Sequence, residues 1–504
     1  MTHALILQIA IPLLAAPLCV LTRSSRVAAG IAVAVAAYGL ANALLLLSTV
    51  LDSGVVQYLI GGVAAPYGIE YRLDLLGAFV LVVVATIVAA TTLWAAFGAQ
   101  HEIGKARGDL FFAAWLLCGT GLSGIVVTGD LFNVFVFLEI SSLSGYVLVA
   151  HGRERRAVVA AFRYLLLGTV GASCLLIGIG LLYMVTGTLN MQDLAARLPE
   201  LAGTKSVRAA WAFLSVGLCL KAAVFPLHLW LPGAYATAPT CVSALLAGTA
   251  TKVALFLWLR LFFGVFAGSV SFVDLPIDEV LLILGATGAL VGSLVAIFQD
   301  EPKRLLAWSS IGQIGIIVVG ISLASQTGLA AATVHLWNHG LVKAGAFLAL
   351  GAMAWRLRIG RRPLVLRDLH GLGRTMPVTS AALLVAGLAL IGMPLTAGFV
   401  SKWLIVSALL EQGLWLAAAL VLAGSLFAVI YVWRLFDAMY LQAATLPVGP
   451  PSPQMPVEPS RTTAFALAVP TVALCGAGLV FGIATKGSVG VATEAVVRLL
   501  EGVR

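Results

Sequence analysis

The sequence predicts an all-α, polytopic membrane protein with about 14 transmembrane helices, and three observations carry that reading. First, apolar runs of roughly 20 residues, the length that crosses a bilayer, recur from one end of the chain to the other. Second, only 10% of the 504 residues are charged and 61% are hydrophobic. A soluble domain carries about 25% charged residues. A chain this long with so few charges could not cover a water-facing surface, so most of its surface must meet lipid. Third, the basic residues gather in short segments between the apolar runs, on alternate loops.

In order, the predicted spans are 4–21, 27–50, 75–99, 109–128, 130–150, 158–186, 206–232, 240–266, 278–299, 303–324, 328–354, 376–410, 413–440 and 463–485. No globular domain interrupts them. The longer polar pieces are 52–74, 187–205, 356–374 and the Pro-rich 446–460, and an amphipathic tail, 488–504, closes the chain. No small-residue cleavage site follows the opening run, which is read as the first helix and not as a signal peptide.

Charge supports the register of these spans. With the N-terminus placed outside, the inner loops hold Arg23 and Arg26, Lys105 and Arg107, Arg153, Arg155 and Arg156, Lys303 and Arg304, and then Arg356, Arg358, Arg361, Arg362, Arg367 and Arg374. The outer loops hold Asp52, Glu70, Asp74, Asp193, Glu200, Asp274, Asp278, Glu279 and Glu411, with Lys205 and Arg208 as exceptions. One missed helix would break this alternation. Both termini are therefore expected outside, in a multi-pass protein of the bacterial inner membrane. The net charge of +9, from 30 Lys+Arg against 21 Asp+Glu, reflects this loop asymmetry. No aromatic-interleaved basic patch accompanies it, so nucleic acid is not an expected partner.

Two spans contain a break. Pro226 interrupts 206–232, and Pro394, after Gly392, interrupts 376–410. Proline removes a backbone hydrogen bond, and in lipid the freed carbonyls must be satisfied inside the protein. Matching breaks in two halves mark inverted-repeat transporters with a site near the midplane. The chain accordingly divides into helices 1–3 (1–108), a first five-helix repeat (109–266), a second inverted one (278–440) and a terminal segment (441–504).

Ionisable groups inside spans are functional hypotheses by default. Here they are Glu139, Lys221, Lys252, His335, His339, Lys343 and Lys402. The competing reading is snorkelling, in which a long side chain near a helix end reaches the headgroups. That suits Arg260 and Arg434 but not Lys221, which lies well inside its span beside the Pro226 break. A lysine in a low-dielectric place loses part of its preference for charge, and a nearby carboxylate restores it. A change in the Glu139–Lys221 separation would thus make the lysine take up or release a proton. His335, His339 and Lys343, spaced by four, share one helix face. With water between, that face can pass protons along the membrane plane; as a structural polar seam it would instead bind helices together. His228 falls near the first break and is a candidate substrate-binding residue. Asp130 and Asn133 open the helix of Glu139, where Asp130 is a helix-start charge, and Ser309 and Gln313 are candidates to hold water.

Cofactor chemistry is not indicated. The six cysteines, Cys19, Cys118, Cys174, Cys219, Cys241 and Cys475, are scattered through apolar runs without CxxC or CxxCH spacing. Two histidines on one helix face cannot clasp a haem iron from opposite sides, and no metal site or flavin or quinone signature is expected.

The segments TGDLFNVFVFLE (128–139), LKAAVFPLHLWLP (220–232), APTCVSALLAGTATK (238–252), VHLWNHGLVKA (334–344) and GMPLTAGFVSK (392–402) resemble the antiporter-like family of proton-translocating membrane subunits. That family includes the A- and D-type components of Mrp sodium/proton antiporters, the pumping subunits of respiratory complex I and membrane-bound hydrogenase subunits. The resemblance covers roughly residues 50–440. It implies that Glu139 is the fifth-helix glutamate, Lys221 the lysine of the broken seventh helix and Lys252 that of the eighth. It also implies that His335, His339 and Lys343 are the central-axis residues of the eleventh helix and Lys402 the lysine of the broken twelfth. Length, the outer segment 58–74 and TGDLFN look most like the D-type Mrp component, while PLTAGFVSK looks equally like the N-type component of complex I. The family usually has Asp and His where Gly233 and Tyr235 stand, and Pro at Cys241.

The resemblance implies a proton-translocating subunit of a multi-subunit monovalent cation/proton antiporter, with other membrane subunits as partners. The alternatives are a pumping subunit of a complex I-like oxidoreductase or hydrogenase, and a structural scaffold. No compact cluster of buried oxygen ligands is visible, which places any sodium path in a partner.

Overall fold

The computed structural model describes residues 3–103, 108–267, 277–359, 362–444 and 460–501. Lys105, Arg107, Asp274, Arg361 and most of the Pro-rich piece lie outside these residues. Helices α1 (Ala4–Leu21) and α2 (Ser25–Ser53) form an antiparallel pair. Buried Asn42 joins them by donating to Gln8 at 2.8 Å and to the Ala4 carbonyl at 2.9 Å. The polar piece 52–74 is a hairpin of β1 (Val56–Leu59) and β2 (Glu70–Leu73). Then come α3 (Leu75–Gly98), the short α4 (Gln100–Ile103), α5 (Gly108–Val127), α6 (Leu131–Ala150) and α7 (Arg155–Thr186).

The second polar piece holds an amphipathic helix, α8 (Met191–Leu201), capped by Asn190, whose side chain also donates to Glu70 at 2.9 Å. Isolated bridges Tyr71–Thr128 and Asp130–Asn190 tie the hairpin to the turns before α6 and α8. The start of the helix carrying Glu139 is therefore fixed. Asp130 caps it by accepting from the Asn133 N–H at 2.7 Å, the expected helix-start role.

The first broken helix is α9 (Lys205–Ala222) followed by α10 (Leu231–Thr237). Helices α11 (Thr240–Gly248) and α12 (Ala250–Arg260) form one rod distorted at Thr249, and a π turn, Leu261–Val265, extends it. After α13 (Ile277–Ile297) and α14 (Pro302–Ser322) comes α15 (Gln326–Arg356), buried without interruption from Gly328 to Met353. A helix apolar on most sides, with a few polar residues, must lie inside the bundle. Accordingly α3, α11 and α14 pack on α15, as do four helices that follow it in the chain. Beyond it lie α16 (Leu372–Thr375), the second broken pair α17 (Pro377–Ile391) and α18 (Ala397–Glu411), and α19 (Trp415–Phe436). Last come α20 (Arg461–Ile483) and α21 (Thr485–Glu501), the tail helix, which buries Ser488, Ala492, Ala495 and Val496.

Among the described residues 11 helices are long and apolar enough to cross a membrane, or up to 12 if the bent pair Leu366–Thr375 and Pro377–Ile391 is one span. The sequence expects about 14. The shortfall falls on spans 206–232, 328–354 and 376–410, where helix breaks or lysine, histidine and asparagine side chains reduce length or apolarity. The first and last described residues lie on the hairpin face: His3 packs on Tyr58 of β1, and Leu499 shares a cavity with Val55 and Arg72.

Of the two expected snorkelling residues, Arg260 does not reach outward, while the Arg434 side chain is 31% exposed beside the 81% exposed Asp300. The Arg260 side chain is only 8% exposed and binds Asp74 at 2.7 Å and the Val126 carbonyl at 2.8 Å. Arg434 binds Asp300 at 2.8 Å and the carbonyls of Ile297 and Gln299. Both sit at helix ends as expected, but nearby protein oxygens satisfy their guanidinium groups, so they tie chain ends together.

At the second break α18 approaches the end of α17 so closely that a Cβ at Gly398 would overlap the Ala389 carbonyl. Gly398→Ala should therefore force the two helices apart, at a cost of about 1–3 kcal/mol. The expected result is a lower unfolding temperature of the purified protein. Gly180→Ala, at a position with open space around it, should leave that temperature unchanged.

Candidate functional site

The first break places Lys221 in the last turn of α9. The chain leaves the helix through Ala223 in a left-handed conformation (φ 56°, ψ 41°), and the Trp230 indole donates to the freed Leu220 carbonyl at 2.9 Å. Lys221 Nζ donates to the Ser142 hydroxyl at 2.8 Å and lies 3.5 Å from Glu139 Oε1. Ser142 is one turn beyond Glu139 on α6, so the two present one face to the lysine. This is the only lysine–carboxylate pair within 4 Å among the described residues. A cavity of about 30 Å³ adjoins it, lined by Lys221, Ser141, Ser142 and Tyr164 and, on α12, by Ala250, Val253 and Ala254.

Across that cavity, α12 carries Lys252, which is fully buried. Its Nζ donates to the Ala247 carbonyl at 2.5 Å and to Thr251 Oγ1 at 3.2 Å. Helix α12 packs against α15, which carries His335 and His339.

The central axis follows. The rings of His335 and His339 stack with centroids 6.1 Å apart and planes 7° from parallel. His335 Nδ1 is 2.7 Å from Ser401 Oγ, and Nε2 is 3.1 Å from Gln313 Oε1. Gln313 Nε2 donates to the Leu390 carbonyl at 3.4 Å; with the amide so oriented, Gln313 Oε1 can accept from His335 Nε2–H. Ser401 can then give its proton to His335 Nδ1. Alternatively it can receive a proton from Nδ1 and turn to the Ala397 or Gly398 carbonyls, at 3.1 and 3.3 Å. Both protonation states of His335 thus find a satisfied partner. Both ring nitrogens of His339 are buried with no hydrogen-bond partner among the described residues. Lys343, one turn on, binds the Leu306 carbonyl at 2.9 Å and the Ser309 hydroxyl. Gln313 and Ser309 are therefore direct partners of His335 and Lys343.

At the second break α17 ends at Gly392 (φ +89°), and α18 begins after Leu395 (φ 68°) with Thr396 as its cap. Lys402 reaches back to the end of α17. It donates to the Leu390 carbonyl at 2.7 Å, the Ile391 carbonyl at 3.1 Å and the Ser425 hydroxyl at 3.0 Å. The Leu390 carbonyl thus accepts from both Lys402 and Gln313, which joins Lys402 to His335 by hydrogen bonds.

Seven of the eight candidate residues lie along this series. His228 does not: it is buried, stacked on Phe225 with centroids 5.1 Å apart and edge-on to Trp308, and it does not line the Lys221 cavity. The sequence reading missed Ser142, Ser401, Ser425 and Thr251. For Ser142, Ser401 and Thr251 the signal is a hydroxyl one residue or one turn from a buried titratable group; Ser425 has no such neighbour in sequence.

The family model described as "NADH:quinone oxidoreductase/Mrp antiporter, TM" matches residues 128–428, which include every member of the series. The chain is 40% identical to NADH-quinone oxidoreductase subunit N of Desulforudis audaxviator over 405 residues, which span 80% of this chain and 78% of the relative. It is 27% identical to the D-type component of the Na(+)/H(+) antiporter of Bacillus subtilis over 491 residues, 96% of this chain and 95% of the relative. One component in the structure of the Mrp complex from Dietzia sp. superposes with a TM-score of 0.87 at 28% identity, over 99% of this chain and 98% of that one.

Gln313→Leu should cut the link between His335 and the end of α17, leaving His335 Nε2 without its partner at a cost of about 1–3 kcal/mol. Amide hydrogen exchange at the α17 end, residues 388–396, should rise about tenfold or more. Unchanged exchange there would contradict the link.

Proposed function

The chain belongs to the NADH:quinone oxidoreductase/Mrp antiporter membrane-protein family, and from that premise we propose that it is the proton-translocating, D-type component of a multi-subunit monovalent cation/proton antiporter in the bacterial inner membrane. The observation that carries this reading is the series of buried titratable side chains running through both helix breaks, with one lysine–carboxylate pair at its end.

Charge placement supports the orientation. Arg156 bridges Glu154 and Glu301 on the face opposite the hairpin, where most of the basic loop residues gather. That face is taken as cytoplasmic, and both termini as periplasmic. The five-helix sets 109–266 and 278–440, each with its own break, are taken as inverted repeats. Partner subunits in the membrane complete the complex and provide any sodium path.

Protons taken up from the cytoplasmic face reach Lys221 and Lys252, pass along His335 and His339, and leave near Lys402. The Glu139–Lys221 pair acts as the switch. Two unit charges about 4 Å apart attract by about 4 kcal/mol at an effective permittivity of about 20, and doubling the distance removes about half of that. A change of about 1.4 kcal/mol is tenfold in protonation. A few ångströms of relative movement of α6 and α9 therefore suffice to load or unload the lysine. Lys252, Lys343 and Lys402 have neutral oxygen partners. Without a counter-charge, the protonation of each depends on the charges carried by its neighbours.

A second reading, a pumping module powered by a redox complex, is favoured by the 40% identity to an oxidoreductase subunit N. Co-purification separates the two: small hydrophobic antiporter subunits belong to the first and iron–sulfur proteins to the second.

In everted vesicles, Lys221→Ala, Glu139→Ala and Lys402→Ala should each abolish cation-driven proton movement while the complex still assembles. Full activity in Lys221→Ala would end the assignment.

A further inference from the structure

On the hairpin face a cavity of about 550 Å³ opens between the end of α2, the start of α3, α8, the end of α12 and α21. That volume falls within the range of small-molecule sites, about 300–1,000 Å³. Much of its wall is aliphatic, built from Val50, Val55, Leu75, Leu76, Val265 and Leu499. Helix α8 lends it a side of small residues, Ala195, Ala196 and Pro199, which share one helical face. The π turn that ends the α12 rod supplies Val265 and packs against both α8 and α21. Such turns interrupt regular hydrogen bonding and are frequent at functional sites.

The charged part of the wall sets three arginines, Arg72, Arg260 and Arg498, against one carboxylate, Asp74. Arg260 is committed to Asp74 and to the Val126 carbonyl, and Arg498 is paired with Glu494 on its own helix. The Arg72 guanidinium is not so committed. Glu70 lies 3.9 Å from it, beyond hydrogen-bonding distance, and accepts instead from Asn190 at 2.9 Å. Among the described residues Arg72 has no hydrogen-bond partner, although its side chain is only 25% exposed. Burial lowers the pKa of its guanidinium, with Glu70 and Asp74 opposing the fall and Arg260 adding to it. Such an arginine presents a fork of N–H donors that matches the oxygens of a phosphate. A free phosphate ion gains nothing from aliphatic walls, whereas a phospholipid covers them with its glycerol region and the first part of its chains. The cavity also lies where the spans α2 and α3 end, and α2 exposes Leu44, Leu45 and Leu51 on which longer chains can continue. A zwitterionic headgroup would bring an ammonium among the same arginines.

We propose that this cavity binds one anionic phospholipid, with its phosphate on Arg72, Arg260 and Arg498 beside it, and its chains against the aliphatic wall. None of the titratable residues of the proton series lines the cavity, so the site is separate from that series. A lipid seated there touches the hairpin, α8, α21 and the end of the rod that carries Lys252, and so holds these four parts together.

The test uses the assembled complex, stripped of lipid in detergent, with photoactivatable phosphatidylglycerol as the probe. Cross-linked peptides should come from α8 (191–201) and α21 (485–501). Unlabelled phosphatidylglycerol should displace the probe about tenfold or more better than phosphatidylcholine does. Arg72→Gln should weaken the labelling of these peptides by a similar factor. Ala196→Trp, which fills the cavity from α8 without removing a charge, should abolish it, and keeps the test decisive if Arg72→Gln fails to assemble. Displacement by inorganic phosphate as effective as that by phosphatidylglycerol would make the free ion the ligand and overturn the lipid. Equal displacement by phosphatidylcholine would overturn the anionic selectivity. Labelling confined to partner subunits, or unchanged in both variants, would overturn the site. The readout is binding, so none of these results bears on proton movement.

Discussion

An ammonium group in the middle of a bilayer must find oxygen partners, and the rest of this structure is organised around supplying them. In a continuous helix each carbonyl is committed to the N–H four residues on, and Lys343 shares one such carbonyl, that of Leu306 within α14. For Lys252 and Lys402 the chain frees carbonyls by interrupting its helices. The end of α17 at Gly392 leaves the Leu390 and Ile391 carbonyls to Lys402, and the distortion at Thr249 presents the Ala247 carbonyl to Lys252. A helix C-terminus also favours a nearby cation, so Lys402 gains from the end of α17 beyond its hydrogen bonds. Breaks and lysines are thus one device: each would be costly in lipid without the other.

The arrangement also explains how charge at one position is felt at the next. Within the series, and among the described residues, only Lys221 has a carboxylate within 4 Å. The other buried lysines are held by neutral oxygens, and His335 has partners that serve either protonation state. A proton arriving anywhere along the series changes the cost of holding one at its neighbours, while the hydrogen-bonded framework stays in place. The interior around α15 is packed too tightly for large rearrangement. Small relative movements at the two breaks, where Ala223 and Leu395 hold left-handed conformations, are the less costly way to alter the spacing.

Much of this was legible in the sequence because membrane burial makes errors expensive. Apolar run length located the long helices, Pro226 and Pro394 marked both breaks, and Glu139, Lys221, Lys252, His335, His339, Lys343 and Lys402 stood out as ionisable residues in apolar runs. The partners were not legible. Ser142, Ser401 and Ser425 look like the many hydroxyls that bond their own helix, as Thr91, Thr120 and Ser144 do. The Thr249 distortion has no proline, and Gly248 before it looks like the many other glycines in apolar runs. Arg260 read as a headgroup-seeking side chain because Asp74, 186 positions away in sequence, is brought to it only by the fold. His228 stood out for its type, yet its ring is stacked between aromatic neighbours.

The central claim is that the proximity of Glu139 sets the proton occupancy of Lys221. Its most direct test is the titration of Lys221 by nitrogen-15 NMR of lysine-labelled protein in the assembled complex, with Glu139 intact and as Glu139→Gln. The account predicts that the Lys221 midpoint moves by at least about one pH unit, the equivalent of about 1.4 kcal/mol. The same midpoint in both proteins would contradict it.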